Sequence, residues 1–242
     1  MRPVKYLQWD TRWKDVDYSA PGEKTTIGAA GCGPTCMAMV IASLKDKSVT
    51  PVETCAWSKA HGYKAANQGT YYSYFGPQAK AYGLEVAQLN TVSGYHNPSA
   101  TCHEQALKEL SKGNWIIACM GPGRWTSSGH FVLVHGAVDG HVYINDPNST
   151  QVQKEKAAIS TFINEVKYYF VVKLKEEEIE LNRKEVEKIV AEMLAKNGTQ
   201  PSKWAEKTWA EAKAKGITDG TRPQGFATRE EVAAMILKAG KE

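Results

Sequence analysis

The sequence predicts an α+β protein followed by a small all-α module. Three features carry that expectation. An apolar helix opens with Gly31-Cys32-Gly33-Pro34, two β-branched runs flank Asp139-Gly140, and composition turns charged and helical after Lys173. The chain has 242 residues and is 42% hydrophobic, enough for a packed core in one large domain or two unequal ones.

The glycines at 31 and 33 allow a tight turn with close backbone approach. Pro34 suits a first helical turn, where a missing N–H costs little. Met37, Val40, Ile41 and Leu44 then recur at helical spacing, so that face is expected in the core. Cys32 therefore falls at the positive end of a helix dipole, beside backbone N–H groups without intrahelical partners. Such a setting favours thiolate, the nucleophilic form.

Farther along, Trp115 to Cys119 reads as a core strand. His130 begins the run Phe131-Val132-Leu133-Val134, also strand-like. His141-Val142-Tyr143-Ile144-Asn145 forms a second run ending at Asp146-Pro147, and Asp139-Gly140 between the two is a tight hairpin signal. The hairpin makes His130 and Asp146 cross-strand neighbours. A carboxylate there would hold the imidazole in a useful tautomer and orientation. His135 lies at an odd offset and faces the other side of a strand. Taken singly, each of Cys32, His130 and Asp146 has an ordinary packing role. Taken together they supply a nucleophile, a base and an orienting group, each in the local structure its role requires. The loop from Gly121 to Gly129 leads directly into His130, so Trp125 and Ser127 are expected along a substrate path. The tyrosine cluster at 71–75 is another loop near the cleft, read mainly as packing. The run Tyr168 to Val172 completes the strand set.

Five cysteines occur, at 32, 36, 55, 102 and 119. The odd count in a chain of this size speaks against a disulfide framework. No second cysteine or histidine pair stands at zinc-ligand spacing, so neither metal nor cofactor is expected. Formal net charge is +4 without a basic stripe, which does not indicate nucleic acid. No stretch is long and apolar enough for a membrane span. The first residues carry no apolar signal segment. The expected location is the cytosol, left only by lysis or another signal-independent route.

In the tail, Ile179, Val186, Ile189, Val190, Met193 and Leu194 form one apolar helical stripe ended by Asn197-Gly198. A second helix fits Ser202 to Lys215, stopped by Gly216. Thr228 caps a third.

The segments Gly-Cys-Gly-Pro-Thr, Gly-His-Phe-Val-Leu-Val and Asn-Asp-Pro together resemble papain-like cysteine peptidases related to bacteriocin-leader-processing peptidases. The resemblance spans roughly residues 5–172. It implies Cys32 as nucleophile, His130 as general base and Asp146 as orienting residue. It also implies a glutamine whose amide helps form the oxyanion hole. Gln8 is the only glutamine before Cys32, and either fills that role or is a surface residue on an edge segment.

Residues 201–240 resemble an S-layer homology motif through Lys203-Trp204-Ala205, Asp219-Gly220-Thr221-Arg222-Pro223 and Ala227-Thr228-Arg229-Glu230-Glu231. Such modules hold bacterial proteins to secondary cell-wall polymer, which would make Thr228, Arg229 and Trp204 wall contacts. The competing reading is a helical bundle for self-association as a homo-oligomer. The resulting domain plan is a peptidase domain at 1–172, a charged connecting helix at 173–200 and the module at 201–242. Peptidase and wall module together look like a phage or prophage endolysin cutting amide bonds of peptidoglycan. An intracellular protease acting on a protein or leader peptide, and a non-catalytic wall-binding protein, are the alternatives.

Overall fold

The computed structural model describes residues 2–90, 97–174, 201, 203, 205–218, 232 and 235–236. The chain divides into two units, Met1–Glu176 and Glu177–Glu242. The first unit is mixed α/β, built on an antiparallel sheet.

Its helices come first. A short α1 (Ile27–Ala30) abuts α2 (Cys32–Leu44), and α3 (Pro51–Ala60) follows. A 3-10 turn at Tyr72–Tyr74 runs into α4 (Phe75–Ala81) and then β1 (Glu85–Gln88). Next are α5 (Ala100–Ser111), β2 (Trp115–Met120), β3 (His130–Val138) and β4 (His141–Asn145). The unit closes with α6 (Val152–Glu155), β5 (Lys156–Ala158), α7 (Ile159–Glu165) and β6 (Val166–Lys173).

The six strands lie in the order β1-β6-β2-β3-β4-β5, every neighbouring pair antiparallel. Alternate residues serve two separate cores. Ile117, Cys119, Phe131 and Leu133 pack with Met37, Val40 and Phe75 on one face. Ile116, Ala118, Val132 and Val134 pack with Ala106, Leu110 and Phe162 on the other. With both faces covered, β2 is buried along its whole length, and its sequence is a continuous apolar run rather than an alternating one.

The helix opened by Cys32 was expected to bury one face. Instead residues 33–42 are all buried. It packs against β3, α3 and α4, so little of its circumference meets solvent. The Thr54 hydroxyl of α3 donates to the Pro34 carbonyl at 2.9 Å, tying that helix to the first turn of α2. A capping box of Thr50 and Glu53, with Pro51 behind it, starts α3 at a defined point.

The β3–β4 hairpin turns at Asp139 and Gly140, whose φ angles of 49° and 74° are both left-handed, as a two-residue type I′ turn requires. From there the ladder pairs Val138 with His141 and Gly136 with Tyr143. A bulge then absorbs His135, after which Val134 pairs with Ile144 and Leu133 with Asn145. That extra residue changes which strand positions share a face.

In the second unit, α8 (Glu206–Ala214) ends at Lys215 and Gly216, the glycine with φ of 69° supplying the left-handed stop. The expected helix began at Ser202, and the observed one begins four residues later. The connecting helix expected at 173–200 lies outside the described residues except for Lys173, which ends β6, and Leu174; of the third helix expected from Thr228, only residues 232, 235 and 236 are described, and they are helical. Trp204, Thr228 and Arg229 lie outside the described residues. Among the described residues no helix is long and apolar enough to cross a membrane.

Candidate active site

Cys32 is the first residue of α2, directly after a break that only glycine permits. A Cβ on Gly31 would sit 2.6 Å from the Ile27 carbonyl oxygen, inside any allowed contact. The absence of that atom lets α1 end against α2, placing the sulfur at the helix start. Cys32 is half-buried, while the other four cysteines are buried, and all five are free thiols.

His130 opens β3 and is buried. Its Nε2 donates to Asp146 Oδ1 at 2.8 Å. The same carboxylate oxygen accepts the backbone N–H of Asn148 at 2.7 Å, which holds the acid in place from the loop after β4. Asp146 is fully buried, and its Oδ2 has no hydrogen-bond partner among the described residues.

Cys32 borders the same cavity as this ring. Burial alone would raise the thiol's pKa. Hydrogen bonding to His130, the charge of that ring, and backbone bonds from Phe131 and Gly33 outweigh it and lower the pKa overall. Burial conversely disfavours the imidazolium, yet hydrogen bonds to Asp146 and Cys32 raise His130 to about 9. With Nε2 given to Asp146, Nδ1 is the nitrogen left for the sulfur. The pair is thus arranged to exist as thiolate and imidazolium, the reactive form of a cysteine nucleophile.

Gln8 is buried rather than a surface residue. Its backbone N–H bonds the Pro147 carbonyl at 2.7 Å, next to Asp146, and its side-chain Nε2 donates to the Gly28 carbonyl at 2.8 Å. The early segment therefore runs between the loop that carries the acid and the short helix before Cys32.

A cavity of about 530 Å³ lies over the sulfur, lined by Cys32, Thr70, Tyr72, Cys119, His130 and Phe131 among others. A second of about 540 Å³ shares Cys32, Gly69 and Gly129 with it and extends toward Glu23, Lys24 and Thr25. Together they form a cleft running past the thiol on both sides.

Trp125 is not on that path. It is 2% exposed, its indole donates to the Lys154 carbonyl at 3.0 Å, and it meets Phe162 edge-on. An indole this size takes both apolar contact and a carbonyl acceptor, and α6 and α7 supply them on the far face of the sheet. Ser127 is exposed and does not line the cavity, whereas its neighbours Ser128 and Gly129 do. The tyrosine cluster divides. Tyr71 and Tyr72 border the cavity, while Tyr74 and Phe75 are fully buried core. His135 sits in the bulge, where burial first and nearby Arg2 next push it down to about 4, so it stays neutral. Among the described residues no group of three or more His, Cys, Asp or Glu side chains is placed to hold a metal ion.

Sequence reasoning missed the cleft wall formed by residues 65–70 and the buried Lys64 and Glu23 behind it. A lysine and a glutamate 41 residues apart give no local signal. Asn67, Gln68 and Gly69 carry no motif of their own that marks a cleft wall.

A thiol and an imidazole border this cleft, and the ring is bonded to a buried carboxylate, the group set that a cysteine peptidase would use. The chain belongs to the peptidase C39-like family, which matches residues 3–173. No curated protein matches it. Among the solved structures similar to it are three peptidases. The peptidase domain of Streptococcus ComA, a bi-functional ABC transporter involved in a quorum sensing pathway, is 17% identical. That match covers 60% of this chain and 92% of that one, with a TM-score of 0.40. A double glycine motif protease from an AMS/PCAT transporter, in complex with its leader peptide, is 21% identical. It covers 71% of this chain and 99% of that one, with a TM-score of 0.41. A protein described as a C39-like peptidase from Bacillus anthracis is 14% identical over 72% of this chain and 99% of that one, with a TM-score of 0.43.

Proposed function

We propose that the chain is a cysteine-dependent hydrolase of amide bonds in bacterial peptidoglycan, acting as an endolysin of phage or prophage origin. The hydrolase part rests on one observation, the 2.8 Å bond from His130 Nε2 to Asp146 Oδ1 in a ring that borders the same cavity as the Cys32 thiol. In this reading the Cys32 thiolate attacks the scissile carbonyl carbon and forms a tetrahedral oxyanion. The Cys32 backbone N–H and the second amide hydrogen of Gln8, the first being given to Gly28, are the donors for that charge. The imidazolium protonates the leaving amine and leaves an acyl thioester. Neutral His130 then takes a proton from water as the hydroxide adds to the thioester carbonyl, and collapse releases the acid and returns Cys32 as thiolate beside imidazolium. Asp146 orients the ring and stabilises its charged form throughout.

The wall substrate rests on the tail, whose Trp204, Thr228 and Arg229 would contact secondary cell-wall polymer. A second reading, cleavage of a protein or leader peptide, is favoured by membership of a family of cysteine peptidases. Mass spectrometry of fragments separates the two. Purified peptidoglycan should release amide-cut fragments with wild type and none with Cys32→Ala. Cleavage of protein substrates with intact sacculi would favour the second reading.

A further inference from the structure

The wall of the cleft is held by a buried ion pair that takes no part in the chemistry above. Lys64 Nζ lies against Glu23 Oε1, with side chains only 2% and 8% exposed. The same ammonium donates to the Ala65 and Gln68 carbonyls at 2.7 Å each. Glu23 in turn accepts the Ala20 N–H at 2.8 Å and the Asn67 N–H. The far end of the wall is tied separately, since the fully buried Tyr18 hydroxyl meets Thr70 Oγ1 at 2.6 Å and Ser58 Oγ at 2.8 Å.

The segments joined this way border the site. Ala65, Asn67, Gln68, Gly69 and Thr70 line the cavity over Cys32, and Glu23, Lys24 and Thr25 line its continuation. Residues 64 and 70 form an isolated β-bridge, and so do 17 and 26, so each segment is a small ribbon. Asn67 is held at φ of 54°, an uncommon angle for a non-glycine residue, by the contacts around it. A ribbon so small has little core of its own. Burying a lysine and a glutamate is costly unless both are fully bonded, and here the bonds run to the backbone of the cleft wall itself.

We propose that Glu23 and Lys64 are positioning residues that set the shape of the substrate cleft, fixing residues 65–70 so that an extended peptide can lie against them beside Cys32. The proposal rests on the peptide-hydrolase reading of Cys32. Neither residue touches the thiol, so unpairing them leaves the chemistry intact and spoils the fit.

Two probes separate these effects in the full chain. Iodoacetamide reports the thiolate and needs no cleft wall. The tripeptide aldehyde acetyl-Ala-Ala-Gly-al must lie in the cleft to form its thiohemiacetal. For Lys64→Met, and for the milder Glu23→Gln, the Cys32 alkylation rate should stay within about twofold of wild type. Aldehyde affinity should fall about tenfold or more, the scale expected for misplacement of about an ångström. Backbone amides of residues 65–70 should lose hydrogen-exchange protection while those of β2 and β3 keep theirs. Unchanged aldehyde affinity in both variants would overturn the proposal. So would an equal fall in alkylation and affinity, which would mark a general loss of structure. Wild-type protein that alkylates at Cys32 yet ignores the aldehyde would sink the underlying peptide reading instead, and the proposal with it.

Discussion

Asp146 reaches His130 on the diagonal of the β3–β4 ladder, not straight across it. Continuing the observed register one step places Asp146 opposite Val132, two residues from His130 and on the same side of the strand. Without the bulge at His135, the register set at the turn would carry Asp146 opposite Leu133, whose side chain points into the other core. One inserted residue therefore shifts where along β3 the chain carrying the acid emerges. Diagonal neighbours lie within reach of long side chains, and the 2.8 Å bond uses that reach.

Removing the thiol should remove turnover while leaving the fold. Cys32→Ala is expected to lower kcat by on the order of 10⁴-fold or more, with a thermal midpoint within a few degrees of wild type. Substantial residual hydrolysis would place the nucleophile elsewhere.

The pH profile follows from the two shifts. The thiol is depressed, so its thiolate is present below the usual thiol range, and His130 is raised to about 9. Activity should be bell-shaped, rising as the Cys32–His130 pair loses its first proton and falling as His130 loses its own near 9. Because the folded pKa of His130 exceeds the free value, its charged form contributes stability fully below about 6.5. That contribution is lost as pH rises through 9. Asp146→Asn takes away the charge that favours imidazolium and should bring the upper limb down by about a pH unit or more. Hydrolysis rates across pH measure this, and an upper limb unmoved in Asp146→Asn would assign it to another group.

Gly31→Ala tests the helix break. The new methyl would meet the Ile27 carbonyl at 2.6 Å, so α1 or α2 must shift. A loss of about 1–3 kcal/mol in denaturant unfolding is expected, with slower Cys32 alkylation because the sulfur moves with the helix start. Wild-type alkylation in a stable variant would show that the break does not position the thiol.

Trp125 should behave as a core residue. Trp125→Ala is expected to cost about 3–5 kcal/mol of stability and to leave KM near wild type in whatever stays folded. A raised KM with unchanged stability would return the indole to the substrate path.

The tail is tested by binding. Arg229→Ala should reduce co-sedimentation with purified cell walls at unchanged hydrolysis of soluble muropeptides, since an arginine fork suits an acidic sugar. If wall binding survives and sedimentation velocity instead shows a dissociated oligomer, the tail serves self-association.

Several parts of the site were legible before any coordinates. Cys32 was readable because glycine, proline and an apolar helical run within a dozen residues specify a helix start. The hairpin was readable because Asp139-Gly140 suits one turn type. Gln8 was half legible. Its residue type suited an oxyanion donor, but its burial depends on Pro147 and Gly28, which no nearby residue announces. Trp125 was misread as cleft-lining from its nearness in sequence to His130.

What the sequence alone determined was local: where the thiol begins a helix, where two strands turn, and which runs can be core. Those outcomes are set by φ preferences and apolar spacing over a few residues. The tertiary structure alone decided the partnerships, namely the diagonal seat of Asp146, the side of the sheet that takes Trp125, and the pinning of residues 65–70 by Glu23. These depend on register and on burial against distant segments, where a one-residue bulge reverses the face a side chain points to.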